Sequence, residues 1–203
     1  MSLVTGIRRV GSGSAIEVSL ESGERLRVDE RRLLERGLAP GVELGRAPLA
    51  RLREWQRIDG AEWRVLRLLA RRPRSRAELA QACARCGLGS EESEALLDRL
   101  ARAGLVDDAG LARRLADQRQ AAGHGRLRIA HDLRRLGIDP ASAVDAEDDG
   151  GGELARARAE LHRRFGDPAR LDRRARARAA GHLGRRGFDV DTVAEALGLD
   201  PGC

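Results

Sequence analysis

Lysine is missing from this 203-residue chain: all 38 basic residues are arginine, and there is no tyrosine. A phosphate loop built on a lysine followed by Ser or Thr is therefore excluded, and Gly11-Ser12-Gly13 is expected to be a hairpin turn. Aromatics make up only 2% of the chain, namely Trp55, Trp63, Phe165 and Phe188. All four fit core or repeat-junction positions. Binders that pave a groove with aromatic rings for base stacking are thereby disfavoured. Any contact with single- or double-stranded DNA is expected to run through arginine and phosphate, and to weaken steeply with salt. The cysteines, Cys83, Cys86 and Cys203, are too few for a disulfide framework. Cys83-Ala-Arg-Cys86 has no second Cys/His pair behind it, so Cys83 is expected in the core and no metal or cofactor is expected. There is no apolar run long enough to span a bilayer and no signal-peptide pattern, so a cytoplasmic protein is expected.

What is present is charge and helix-forming composition. Charged residues are 34% and hydrophobic residues 41% of the chain, with a net charge of +6. The balance is uneven: residues 51–106 hold 12 arginines against 8 acids, and residues 153–203 hold 11 against 8. Such a surplus favours encounter with nucleic acid or an acidic protein surface. Abundant Ala, Leu, Arg and Glu favours helices.

Residues 1–49 differ from the rest. Val4–Val10, Ala15–Leu20 and Glu24–Val28 are predicted strands; Ile16, Val18 and Leu20 alternate with Glu17 and Ser19, as a half-buried strand requires. Turns fall at Glu21-Ser22-Gly23 and Ala39-Pro40-Gly41. Asp29 can cap a short helix to Arg36, ended by Gly37. From about Leu52 the apolar period becomes helical, until Arg72-Pro73 breaks it. Ser75 with Glu78 forms a capping-box pattern, and Ser90 opens a further helix that Gly104 ends.

The helical part repeats with a spacing of 50 residues. Gly87, Gly137 and Gly187 align, each followed by an apolar residue: Leu88, Ile138, Phe188. Cys83, Leu133 and Leu183 precede them by four, and Ala80, Ala130 and Ala180 lie one turn earlier. Positions 80, 83 and 87 share a helix face, and Arg85, Arg135 and Arg185 lie on the opposite one. Asp107 or Asp108 can cap the first helix of the second repeat, Asp139-Pro140 can open its third, and Asp167-Pro168 would open the second helix of repeat three early. The expected architecture is mainly α: an elongated solenoid of three tandem three-helix repeats (52–106, 107–149, 153–200) behind a small antiparallel β region. The acidic, glycine-ended junction from Asp145 to Gly152 is expected to flex.

The centre of repeat two resembles the RecX family, regulators of the RecA recombinase. The pattern is Asp107-Asp108, Ala112, Arg119 closing the first helix, Gly123-His124-Gly125, Arg126, Ile129, Leu133 and Gly137-Ile138. Repeat one adds Arg72-Pro73-Arg74-Ser75 with Glu78-Leu79, and Leu100 with Gly104-Leu105-Val106-Asp107. Repeat three adds Leu183, Arg186 and Gly187-Phe188. The N-terminal strands resemble the extension of longer family members. Leu111 and Leu115 depart from the pattern where the family often has aromatics, and Asp132 where it often has Glu. The resemblance implies a monomeric, non-enzymatic regulator that docks in the groove of the RecA–single-stranded-DNA filament. It also implies limits on filament growth, ATP hydrolysis and strand exchange.

The candidate contact residues are Arg119, His124, Arg126, Arg128 and Arg135 in repeat two, and Arg173, Arg174, Arg176 and Arg178 in repeat three. Arg126 and Arg128 fall in the first turn of their helix, where a cation opposes the helix dipole, so an external anion is the expected reason for them. Arg135 is outward by the face argument. The alternative is a DNA-binding transcription regulator, since residues 75–106 have a helix-turn-helix pattern. Against it, Asp107-Asp108-Ala109-Gly110 replaces a wing after Val106, and the same unit recurs without short polar base-reading side chains. For catalysis, His124 and the Asp107-Asp108 pair offer no nucleophile–base arrangement and fit a turn and helix caps.

Overall fold

The computed structural model describes residues 1–11, 13–34, 37–143 and 151–199. The chain opens with β1 (Ser2–Arg9), β2 (Ala15–Leu20) and β3 (Arg25–Asp29), then α1 (Glu30–Leu34) and β4 (Glu43–Leu44). Helices follow: α2 (Arg46–Leu69), α3 (Arg76–Ala84), α4 (Ser90–Arg102), α5 (Asp108–Ala121), α6 (Arg126–Arg135), α7 (Gly151–Phe165), α8 (Arg173–Arg186) and α9 (Val190–Ala196). Short 3-10 turns cover Pro140–Ala143 and Pro168–Arg170. The protein is mainly α with a small antiparallel sheet at its N-terminal end. It divides into two compact halves: residues 1–74 with 78–106, and residues 75–77 with the chain from 107 onward.

In the first half, the sheet runs β3-β2-β1-β4, all neighbours antiparallel. Gly23 takes φ +84° in the β2–β3 turn, a left-handed conformation that side chains resist. Val4, Val18, Leu26 and Val28 are buried against Leu52 and Trp55 of α2. Helix α2 is also bonded to the sheet: the Arg27 and Asp29 main-chain N–H groups donate to Gln56 and to buried Asp59. Further along, Ala61 and Val65 of α2 join Leu79, Cys83, Leu88, Leu96, Leu97 and Leu100 in a second core. One long helix thus serves the sheet and the first three-helix set.

Several expectations change. The dyad pattern put Glu17 on a solvent face, but it is only 3% exposed, because Arg8 and Arg27 on the flanking strands reach over it (2.7 and 3.3 Å). β4 had too short a signal to be seen. Ser90 does open α4, with Gly89 as its N-cap: Glu92 turns back to accept from the Gly89 N–H at 2.9 Å. Asp167 caps only the 3-10 turn, and Asp172 opens α8 by accepting from Ala175 N–H at 2.6 Å. Asp139-Pro140 likewise opens a 3-10 turn. Asp29 does start α1, accepting from Arg31 N–H, but the expected end at Arg36 lies outside the described residues. So do Ser12, Cys203 and positions 145–150 of the acidic junction, whereas Gly151 and Gly152 belong to α7.

The 50-residue period is visible in the burial. Gly87, Gly137 and Gly187 all have positive φ (79°, 72°, 90°). Cys83, Leu133 and Leu183 are fully buried, as nearly are Leu88, Ile138 and Phe188. Leu79, Ile129 and Ala179 hold the next inward position, and Ala80, Ala130 and Ala180 sit at its border rather than at its centre.

Candidate partner-binding surface

The second half is organised by a joint that occurs twice, 50 residues apart. In its later copy, Gly125 N–H donates to Arg186 O and Leu127 N–H to Gly187 O, both at 3.0 Å. The main chain at Gly125 and the main chain at Gly187-Phe188 approach so closely that a Cβ at Gly125 would strike the Gly187 carbonyl group. A Cβ at Gly187 would strike Arg128. The first free N–H of α6, at Arg126, is then capped by Glu153 from the start of α7 at 2.8 Å. In the earlier copy Ser75 stands for Gly125: its hydroxyl donates to Leu136 O at 2.6 Å. A Cβ at Gly137 would lie 2.5 Å from that of Ala77. Arg76 N–H is capped by Asp108 at 2.8 Å. The neighbouring aspartates thus divide their work, since Asp107 caps α5 itself by accepting from Gly110 N–H. Gly123-His124-Gly125-Arg126 is therefore a docking turn between helices of one chain.

The expected reason for the repeat-two arginines needs correcting. Arg126 does have an anion beside it, but an internal one: its Nε lies 3.1 Å from Asp189 and 3.5 Å from Glu153. Arg119 donates to Asp132 at 2.8 Å, and Arg128 adds a 3.4 Å contact to the same carboxylate. Spacing along the chain could not show this, because Arg126 and Asp189 are 63 residues apart. His124 is half-buried rather than a free turn residue. Burial, then the charge of Arg186, lowers its pKa. Its Nδ1 is buried without a hydrogen-bond partner. Arg135 is exposed and carries no ion pair among the described residues, as do Arg85 and Arg185.

Asp132, Glu153 and Glu160 in this joint are buried and Asp189 is half-buried, which raises the cost of their charge, and their partners decide the outcome. For Asp132, burial is outweighed by Arg119 and Arg128, and its pKa is lowered. Asp189 is lowered too, against burial, by Thr192 and Arg126. Glu160, 4% exposed, accepts from His182 at 2.8 Å and Arg163 at 2.7 Å and lies 3.2 Å from Arg186; these overcome burial and lower it. Glu153 is the exception: burial raises its pKa despite the Arg126 N–H.

Repeat three presents a different basic surface. Arg173, Arg174 and Arg178 are exposed at the start of α8, and none has an ion pair among the described residues. Arg176 is half-buried, with a buried Nε lacking a hydrogen-bond partner. Arg178 also joins Arg164 and Arg185 around an open hollow of about 630 Å³. Phe165 and His182 also line it, edge to face with ring centres 5.6 Å apart. Phe165, expected in a core or junction position, is half-buried: it packs against the third core and also borders this hollow. The outward repeat position of Arg185 was a signal in the sequence for this site; Arg164 and His182 had none.

Cys83 is buried in the core, and no cluster of metal-ligating side chains occurs among the described residues. No described helix is long and apolar enough to cross a membrane.

Three family models match in tandem: RecX, first three-helix domain, over residues 64–100; the second over 107–146; and the third over 152–197. Among curated proteins, "Regulatory protein RecX" of Acidithiobacillus ferrooxidans is 41% identical over 134 residues, 66% of this chain and 86% of that protein. The protein of the same name in Stenotrophomonas maltophilia is 36% identical over 139 residues, 68% of this chain and 85% of that one. A crystal structure of regulatory protein RecX superposes with a TM-score of 0.70 at 21% identity, covering 98% of this chain and 99% of the other. RecX from Lactobacillus salivarius gives 0.59 at 18%, covering 70% and 95%. These two structural likenesses speak for the fold.

Proposed function

The chain belongs to the RecX family of regulatory proteins, and from that premise we propose that it restrains the RecA recombinase. It binds the RecA–single-stranded-DNA filament and limits filament growth, ATP hydrolysis and strand exchange, acting without catalysis of its own. The observation that carries this reading is the unbroken order of three RecX three-helix domains along residues 64–197. Internal caps and ion pairs occupy Arg119, Arg126 and Arg128, which leaves Arg135 and the arginines of α8 as the candidate residues available to a partner. The unpaired arginines of α8 supply a basic surface for phosphate or for acidic protein. A winged DNA reader is less well supported, because the chain runs from Val106 straight into α5, capped by Asp107.

Added to RecA on single-stranded DNA, the protein is expected to suppress ATPase activity and strand exchange at amounts well below one per RecA. RecA turnover that stays unchanged at equal molarity, with the added protein shown to be folded, overturns the proposal.

A further inference from the structure

The hollow between the end of α7 and α8 combines three features that are separately ordinary. Arg164, Arg178 and Arg185 surround it, all exposed and all without an ion pair among the described residues. No carboxylate lines it; Glu160, behind His182, is buried and already engaged by His182, Arg163 and Arg186. Its lining is partly aromatic, with Phe165 set against His182, and Gly181 adds no side chain to it; an added Cβ there would meet the tip of Arg185 at 3.4 Å.

We propose that this hollow binds a nucleotide, its phosphate held by Arg178, Arg185 and Arg164 and its base lying against Phe165 and His182. Three guanidinium groups without counter-charges select a strongly anionic ligand. A volume of about 630 Å³ exceeds what inorganic phosphate needs and falls in the range of small-molecule sites. An acidic peptide satisfies the arginines but makes no use of the ring. Base stacking on an aromatic side chain, with phosphate on arginine, uses both. The nucleotide is either one unit of a single strand or a free mononucleotide. The inference goes beyond regulation of RecA and is measured without RecA, so the two readings fail independently.

The experiment is fluorescence anisotropy of labelled oligothymidylate, about 15 nucleotides long, with the full chain at low salt. Arg178→Ala/Arg185→Ala is expected to weaken binding about tenfold and to flatten the salt dependence by about one unit of log–log slope. Gly181→Leu, which adds bulk to the lining without changing charge, is expected to weaken it about fivefold. The wild-type chain is expected to bind an abasic oligomer of equal length several-fold more weakly, and Phe165→Leu to erase that preference. Competition by thymidine monophosphate assigns the site to free nucleotide, and competition by oligomer alone assigns it to a strand; either supports a nucleotide site. If both the double arginine variant and Gly181→Leu melt normally and bind within twofold of wild type, the proposal falls. It also falls if polyglutamate competes as well as the oligomer, or if the abasic oligomer binds as tightly as oligothymidylate.

Discussion

Helices α6 and α8 each begin with a run of arginines, occupy the same place in successive repeats, and end on an apolar residue behind a left-handed glycine. Their arginines nevertheless do different things. On α6, Arg126 is held between Glu153 and Asp189, and Arg128 and Arg119 share Asp132. On α8, Arg173, Arg174 and Arg178 meet no carboxylate among the described residues. The cause is the position of each helix in the series. The start of α6 docks on the next repeat, which supplies acids at the start of α7 and just before α9. Similar arginine-rich helix starts become an internal clamp in one repeat and an open basic surface in the next. A basic run is evidence for an external partner only after its internal carboxylates are accounted for.

The largest way to break the difference is to pry the two repeats apart at Gly187. That residue has φ +90°, and any Cβ would press on Arg128. Gly187→Val therefore meets both a forbidden backbone region and a collision with main chain. The expected loss is about 3 kcal/mol or more, or roughly 10 °C in melting temperature for a protein of this size. Gly137→Val, at φ +72° against Ala77, should cost on the order of 1–2 kcal/mol or more for the same reasons. Thermal unfolding followed by circular dichroism measures both; a Gly187→Val protein that melts like wild type would show that the joint is not needed.

Reversing charge tests the comparison directly. Placing Glu at 126, 128 and 135 brings new carboxylates beside Glu153, Asp189 and Asp132. Arg126 is 66% exposed, which screens the loss, so a decrease of about 1–2 kcal/mol is expected. The helix dipole alone would favour the opposite, an unchanged or higher melting temperature, because Arg126 and Arg128 lie in the first turn of α6. Placing Glu at 173, 174 and 178 instead puts two of the three acids in the first turn of α8, where the dipole favours them. That variant should melt at or slightly above the wild-type temperature, yet lose most of its inhibition of RecA ATPase, most visibly at low salt. If the α6 variant loses inhibition while melting normally, the open surface is on α6 and the assignment of roles is reversed.

The parts legible in the sequence were those with local causes. Glycine at helix ends, the apolar residue behind it, an aspartate cap at 107 or 108 and the inward Ile16, Val18 and Leu20 of β2 all act within a few residues, and the structure shows each. What escaped is set by pairing over long separations. Glu17 is buried because strands on either side bring Arg8 and Arg27 to it, and Arg126 is neutralised by acids 27 and 63 positions away. The second copy of the joint offered a usable hint: Asp108 caps Arg76 as Glu153 caps Arg126, so an acid opening one repeat is matched to an arginine opening the second helix of the repeat before it. Phe165 was expected at a core or junction position and does pack at the border of the third core; what spacing could not show is that its half-buried ring also borders an open hollow.

A smaller effect comes from acid. Asp132, Asp189 and Glu160 have folded pKa values below their ordinary ones, so they stabilise the protein above about pH 4.5, and that contribution is lost as pH falls. Asp29 and Glu92 in the other half, each lowered to about 2, extend the loss toward pH 2. Glu153 has the opposite sign: its raised pKa makes the folded state relatively more stable when it is protonated, which offsets part of the loss. Melting temperature should therefore decline from about pH 4.5 downward, less steeply in the α6 variant, whose clamp is already gone, and with the wild-type slope in the α8 variant. Equal slopes in all three would mean that the clamp contributes nothing to stability.

The smallest expected change separates the two helices without touching any charge. α8 carries Gly181 and Gly184 in its interior, at the places where α6 has His131 and Arg134. Glycine weakens a helix interior because its backbone loses more freedom on ordering than that of alanine. At Gly184 an added methyl group meets nothing within 4 Å, and the backbone is right-handed. Gly184→Ala should therefore stabilise α8 by about 0.5–1 kcal/mol and raise the melting temperature by roughly 2–4 °C. Because the hollow lies on the side of Gly181 and Arg178, and no arginine is altered, inhibition of RecA ATPase should stay within twofold of wild type. A stabilised protein with weakened inhibition would mean that α8 must yield on docking, and that its unpaired arginines reach their partner only from a loosened helix.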